Sequence, residues 1–269
     1  MGKNQVMILG ARGSIPVSGN AFSKYGGSTS CVLLETESEV ILFDAGSGIL
    51  NLSEFVWKKH KIIHVLISHG HLDHMMGIPM NLMMFDPEIE VIFYAPDVKK
   101  VKRALEQLMQ PPLWPVGTEV FKAQVRYESL GEEPHPIGEG TVVVSSMLLE
   151  HPGDCYAYRV EWGNHNMVYA TDCELNQEGC QRMAFFARNT DLFILDAQYT
   201  AEEYHRCQGF GHSDIETAVS VIRESGALQG MLFHHAPTHT DEQLDQIESY
   251  VKQKGAHIGV AKEGDRIQL

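Results

Sequence analysis

Hydrophobic residues along this chain come in short runs rich in β-branched and aromatic side chains, and most runs end on Gly, Asp or His. Such runs predict strands: VMILG (6–10), CVLLET (31–36), VILFDAG (40–46), HVLISH (64–69), EVIFYAP (90–96), TVVVSSMLLEH (141–151), CYAYRVEW (155–162), MVYATD (167–172), LFILDAQ (192–198) and GMLFHH (230–235). The period lengthens to that of a helix in two late segments. In HSDIETAVSVIRESG, Ser213 and Glu216 form an S-x-x-E capping pair, Ile215, Ala218, Val219 and Ile222 share a face, and Gly226 stops the helix. In THTDEQLDQIESYVKQKG, Thr240 and Gln243 repeat the device, Leu244, Ile247 and Val251 face inward, and Gly255 ends it. A further helix is predicted from Asp97 to Met109, broken by Pro111-Pro112. Strands arriving in runs, with helices around them, predict an α/β chain of two facing sheets flanked by helices. Neither a repeat nor a linker composition divides the chain, so 1–269 is read as one domain.

Composition narrows the picture. With 269 residues, 43% hydrophobic and 21% charged, the chain can bury a large core. No run approaches the roughly 18 apolar residues of a membrane span, and MGKNQVMILGARGS lacks a signal-peptide core, which predicts a cytoplasmic protein without membrane attachment. Five cysteines without CxxC spacing fit reduced thiols. A formal charge of −14 disfavours a stable nucleic-acid complex. The basic run Lys99, Lys100, Lys102 and Arg103 reads as a solvated helix face.

The chemistry concentrates in SHGHLDH (68–74), three imidazoles and a carboxylate within six positions. On an extended backbone His69 and His71 leave the same face about 7 Å apart, a geometry for two imidazoles on one metal ion. Asp73 and His74 fall where the chain turns and point elsewhere, toward a second ion. Zinc-like metals take such nitrogen and oxygen donors, and paired ions about 3.5–4 Å apart clamp hydrolytic transition states. A single histidine of this kind is more often a loop cap; four such groups at this spacing favour metal.

SHGHLDH, with its HxHxDH spacing, resembles the signature of the metallo-β-lactamase superfamily. The resemblance continues through ILFDAGSGI (41–49), LLEHPGDCYAYRVE (148–161), VYATDCE (168–174) and MLFHHAP (231–237). It implies a four-layer αββα sandwich and two divalent metal ions, zinc first, with manganese and iron as other choices. It also implies one ion held by His69, His71 and His151, a second by Asp73, His74 and a histidine of the last segment, and Asp172 bridging them. In the family pattern that last ligand follows the apolar strand directly, which favours His234 and leaves His235 as a neighbouring support. Asp44 would support the site from behind. A carboxylate at Asp172, instead of a cysteine, argues against antibiotic hydrolysis, and Cys173 reads as a buried small residue.

GFGHSDIETAV (209–219) resembles the His-Ser segment of the ribonuclease Z and cyclic-phosphate phosphodiesterase branch. It implies that His212 faces the scissile phosphate as general acid or clamp, oriented by Asp196, so that His212 and Asp73 carry the catalytic roles. GARGS lacks the spacing of a dinucleotide-binding turn, and no nucleotide cofactor is expected. The segment YGGSTSC leaves two readings open: Ser28 and Thr29 line the mouth of the site and touch substrate, or Gly26-Gly27 builds a tight turn. The resemblance implies that residues 86–136 are the variable access or lid segment, in which Trp114 either stacks on a base or, the plainer role, packs. The resulting expectation is a phosphodiesterase for a small phosphodiester, a cyclic nucleotide or related cyclic phosphate, in a homodimer. The alternatives are a tRNA 3′-processing ribonuclease Z, a lactone or thioester hydrolase, and a metal-binding sensor.

Overall fold

The computed structural model describes residues 4–131, 133–255 and 257–269. Strands β1 (Gln5–Gly10), β2 (Cys31–Glu35), β3 (Val40–Phe43), β4 (Ile62–Leu66), β5 (Glu90–Ala95) and β6 (Gln124–Ser129) build the first sheet. Strands β7 (His135–Ile137), β8 (Val142–Leu149), β9 (Cys155–Trp162), β10 (His165–Ala170), β11 (Leu192–Asp196), β12 (Gln229–Phe233) and β13 (Ile258–Val260) build the second. The C-terminal β14 (Arg266–Gln268) returns to the first, giving the orders β14-β1-β2-β3-β4-β5-β6 and β13-β12-β11-β10-β9-β8-β7. Both sheets are mixed: β3 to β6 and β10 to β13 run parallel, while the other pairs are antiparallel.

Three apolar layers hold this together. Ile8, Ile41, Phe43, Tyr158, Tyr169 and Phe233 fill the space between the sheets. Helices α1 (Glu54–His60) and α2 (Val98–Leu108) cover the outside of the first sheet through Trp57, Val101 and Leu105. Helices α3 (Gln177–Phe186), α5 (Ile215–Ser225) and α6 (Asp241–Lys254) cover the second through Met183, Ile222 and Val251, and the short α4 (Ala201–Cys207) lies on its rim. The result is the four-layer αββα arrangement that the hydrophobic pattern predicts. No helix among the described residues is long and apolar enough to cross a membrane.

Several local readings change. The cap of α5 is Asp214, which accepts from Thr217 N at 2.9 Å. Ser213, assigned that cap from sequence, instead donates through Oγ to Cys173 O at 2.6 Å and accepts from Leu175 N, clasping the loop that follows β10. The Thr240–Gln243 box on α6 closes in both directions. Trp114 packs against the outer apolar layer, the plainer of its two roles. The strands missed in the sequence, β6, β7, β13 and β14, lie at or next to the sheet edges, where one-sided burial leaves only short or polar-interrupted runs.

Just below the rim the two sheets are tied together. Tyr158 O–H of β9 donates to Ile67 O at 2.6 Å, Tyr156 N donates to Ser68 O at 3.1 Å, and Tyr169 O–H of β10 donates to Asp44 at 2.8 Å. The segments carrying chemistry all leave strand ends on this rim, after β3, β4, β8, β10, β11 and β12, the edge where open α/β sheets place ligands.

Candidate metal centre

The ladder of β4 ends at Leu66, three residues before His69. From there Asp44 takes over the role of a neighbouring strand: its Oδ1 accepts from Ser68 N at 2.7 Å, and the chain then turns through a 3₁₀ segment at Leu72–His74. Asp44, Asp172 and His234, each following a strand end, adopt positive φ of 59°, 48° and 62°. Backbone held in this sparsely populated region is concentrated where side chains must be aimed.

The folded chain brings seven of the predicted groups together. His69, His71, His151 and Asp172 form one cluster, and Asp73, His74, Asp172 and His234 a second, with Asp172 common to both. In the first, His71 Nδ1 lies 2.8 Å from His69 Nε2 and 3.2 Å from His151 Nε2, and Asp172 Oδ2 lies 3.6 and 3.8 Å from the same two Nε2 atoms. In the second, His74 Nε2 is 3.3 Å from Asp73 Oδ2 and 3.2 Å from Asp172 Oδ1, while His234 Nε2 is 3.2 and 3.1 Å from those oxygens. Donors 2.0–2.2 Å from a tetrahedral ion stand about 3.3–3.6 Å apart, close to these spacings. His74 Nε2 is buried with no hydrogen-bond partner, an orphan that a cation between these donors would satisfy. The residues therefore fit the divalent ions that the fold implies.

Four of the five rings are aimed by a bond on the far side, the usual arrangement of metal-binding histidines. Asp44 Oδ2 lies 2.8 Å from His74 Nδ1. A carboxylate only accepts, so Nδ1 carries a proton, and Nε2 is the atom that would face a cation. Gly211 O fixes His151 Nδ1 at 2.9 Å, and Gln198 Oε1 fixes His234 Nδ1 at 2.8 Å. Ser68 Oγ stands 3.0 Å from His69 Nδ1 and donates onward to Asp44 Oδ2 at 2.8 Å. His71 alone turns its Nδ1 inward. Ser14 N, in a tight turn with φ 64°, donates to Asp73 Oδ2 at 2.7 Å.

Electrostatics follow from burial and packing. Burial pushes His69, His71 and His151 below the ordinary histidine value, toward the neutral form that binds metal. Burial opposes charge on His74 as well, yet Asp172, Asp73 and Asp44 together hold it well above that value. Burial also opposes the charged carboxylate of Asp73, but His74 and His234 hold its pKa far down; for Asp172, His234 and His74 do the same.

His212 lies against this centre without joining either cluster. Its ring stacks on His234 at 4.9 Å and meets His151 edge-on at 5.2 Å, while Nδ1 bonds Asp196 Oδ2 at 2.8 Å. Although burial opposes it, the Asp196 carboxylate raises His212 to about 9. Asp172, Asp196, His212 and His234 form a further close group, in which Asp196 is already bonded by His212 and by the N–H groups of Ser213 and Gln198.

Three predicted residues lie elsewhere. His235 turns away from the centre and bonds Ala261 O at 2.8 Å, since the positive φ of His234 aims that residue at the metal cluster and its neighbour elsewhere. Thr29 is fully buried and exchanges hydrogen bonds with Ser47, bracing the turn after β3 instead of lining the mouth. Ser28 N bonds Glu263, and its hydroxyl lies 3.4 Å from Asn51 Nδ2. Their segment is a structural turn. Conversely, sequence reading passed over Ser14, Ser68, Gln198 and Gly211. The signal for Gln198 was present in LFILDAQYT, two residues beyond Asp196 and on the same side of an extended chain.

A centre of paired His/Asp clusters at the rim of an αββα sandwich is the architecture of a metal-dependent superfamily. The family described as "Beta-lactamase superfamily domain" matches residues 39–235, and the chain belongs to that superfamily. A ribonuclease Z of Treponema pallidum is 36% identical over 299 residues, with 90% of each chain covered. The probable metallo-hydrolase YhfI of Bacillus subtilis is 23% identical over 237 residues, with 86% of each covered. The crystal structure of YhfI superposes with a TM-score of 0.74 at 19% identity, covering both chains fully. A diphosphatase from the PhnP family superposes at 0.71 with 18% identity, over 99% of this chain and 97% of the other.

Proposed function

We propose that this protein is a dinuclear metal-dependent phosphodiesterase acting on a small phosphodiester, a cyclic nucleotide or related cyclic phosphate. The observation that carries the reading is His212: a buried imidazole backed by Asp196, lying against one ligand from each cluster and bound into neither. A lactone or thioester needs no such second cationic group beside the metals, whereas a phosphodiester presents negative charge and a leaving alkoxide that must be protonated. Relatives named ribonuclease Z and diphosphatase support phosphorus chemistry.

The donor set suits zinc first, then manganese or iron(II). Two such ions would supply Lewis-acid stabilisation of phosphoryl charge and activation of water. The remaining work belongs to the chain. Asp172 directs one oxygen into each cluster and fixes their separation. Asp44 holds His74 directly and His69 through Ser68. Asp196 occupies Nδ1 of His212, leaving Nε2 to donate its proton to the departing oxygen.

A second reading, processing of tRNA 3′ ends, is favoured by the identity to ribonuclease Z of T. pallidum. Against it stand the charge of −14 and the engagement of two of the few clustered cations in ion pairs, Lys100 with Asp154 and Lys102 with Glu106. Metal-loaded protein incubated with 3′,5′- and 2′,3′-cyclic nucleotides and a precursor tRNA, with Asp172→Ala as control, separates the two by product chromatography. Ring opening that disappears in the control supports the first reading. Cleavage of the tRNA alone moves the assignment to the second, and turnover retained by Asp172→Ala at full metal content defeats the mechanism.

A further inference from the structure

The two clusters differ in access. Asp73, His74, Asp172 and His234 are all buried, whereas His71 is exposed and His151 half-buried, so a substrate reaches the centre from the side of His71. On that side His69 and His71 form one wall of a cleft of about 210 Å³. Its floor and far wall come from Ala95 at the end of β5, from Val101 and Ala104 on α2, and from the ring of Tyr156 at the start of β9. The loop approaches α2 closely: a Cβ on Gly70 would lie 3.0 Å from Ala104 Cβ. Gly153, at φ 97°, brings the opposite loop near His71 Nε2. An ion pair beside the cleft, Lys100 Nζ to Asp154 Oδ2 at 2.5 Å, joins α2 to that loop.

We propose that this cleft binds a single nucleobase of the substrate, with Tyr156 as its stacking surface and Val101 and Ala104 as its apolar floor. The proposal rests on the phosphodiesterase reading and names its substrate class: a mononucleotide phosphodiester. Three features point there. The cleft adjoins the ligands of the open cluster, so a group bonded to a phosphate at the metals reaches it directly. Its exposed lining is mainly apolar around one aromatic face, with polar groups from Asp97, Lys100 and Asp154 beside it, which suits a flat ring with polar edges. Its volume of about 210 Å³ falls below the roughly 300–1,000 Å³ of ordinary ligand pockets and suits one ring system better than a run of nucleotides. Residues 86–136 then shape access through α2.

The test compares 5′-AMP with ribose 5-phosphate, the same phosphate and sugar without the base, as inhibitors of bis(p-nitrophenyl) phosphate hydrolysis by metal-loaded protein, with affinities checked by calorimetry. AMP should bind at least about tenfold tighter, the contribution of one stacked base. Ala104→Phe, which fills the floor, should bring the affinity ratio to within about twofold of unity. Tyr156→Leu, which removes the ring, should lower it several-fold. Thermal unfolding and metal content establish that each variant is folded and loaded, and either variant alone decides the matter. A ratio near unity in the wild type, or one that neither folded variant changes, overturns the cleft while leaving the phosphodiesterase reading standing. Absence of both hydrolysis and phosphate binding overturns that reading and the cleft with it.

Discussion

Asp44 and His74 sit 2.8 Å apart, Oδ2 to Nδ1, and through Ser68 the same buried carboxylate also aims His69, so one side chain orients a ligand in each cluster. It further accepts from Tyr169 O–H and Ser68 N, so four donors converge on it, three of them on Oδ2. An amide in its place presents one donor group among partners that all donate. Asp44→Asn should therefore weaken metal binding by about 10–100-fold, the usual effect of losing a ligand's supporting partner. Competition titration with a chromophoric chelator measures this; unchanged affinity for both ions would show that Asp44 serves the fold alone.

His212 lies against both clusters but is held by Asp196, outside either ligand set. His212→Asn should accordingly leave two ions bound per chain while lowering kcat about 10²–10⁴-fold, the range for loss of a general acid. Metal analysis alongside steady-state kinetics makes the distinction. Loss of an ion in the variant would make His212 a ligand instead.

The clusters were legible in sequence because their donors travel in compact motifs at strand ends, and the strands themselves are apolar enough to be recognised. What was not legible follows from how the rim is built. Gln198 and Gly211 act by aiming a carbonyl oxygen at a ring nitrogen, a role that carries no compositional signature. Ser14 contributes a backbone N–H, and its side chain is incidental. Thr29 was misplaced because a buried hydroxyl bracing a turn and an exposed one at a mouth look alike in a polar, glycine-rich segment. His235 and His234 are neighbours of the same chemistry: His234 is aimed by its positive φ and by Gln198, and His235 by a carbonyl at Ala261, far along the sequence.

Away from the centre, Glu248 on α6 accepts from Lys262, Lys252 and Tyr25 O–H, tying α6 to the segment preceding β14 and to the N-terminal loop. Burial works against its charged form, but these donors hold its pKa down at about 2. A carboxylate with a depressed folded pKa stabilises fully above its ordinary value near 4.5, and that contribution disappears as pH falls toward 2. Glu248→Gln should thus cost about 1 kcal/mol at neutral pH, the scale of an ion pair near the surface. The gap from wild type should close between about pH 5 and pH 2. Urea unfolding across that range tests it, and a gap independent of pH would assign the loss to packing.

Two glycines allow the clusters to be perturbed one at a time. A Cβ on Gly13 would lie 2.4 Å from His234 Nδ1, in the buried cluster, and one on Gly211 would lie 2.2 Å from His151 Nδ1, in the open one. Gly211 also sits at φ 87°, where alanine is strained, and its carbonyl is the bond that aims His151. Gly13→Ala should therefore weaken the ion between Asp73, His74 and His234, and Gly211→Ala the ion between His69, His71 and His151, each by an order of magnitude or more. Because Asp172 serves both sites, weakening one ion should also loosen the other, by a smaller factor. Stepwise titration of metal-free protein with Zn²⁺, followed by calorimetry, would resolve two classes of site. If both substitutions depress the same class, the two ions are not held by separate clusters and the assignment of ligands must be redrawn.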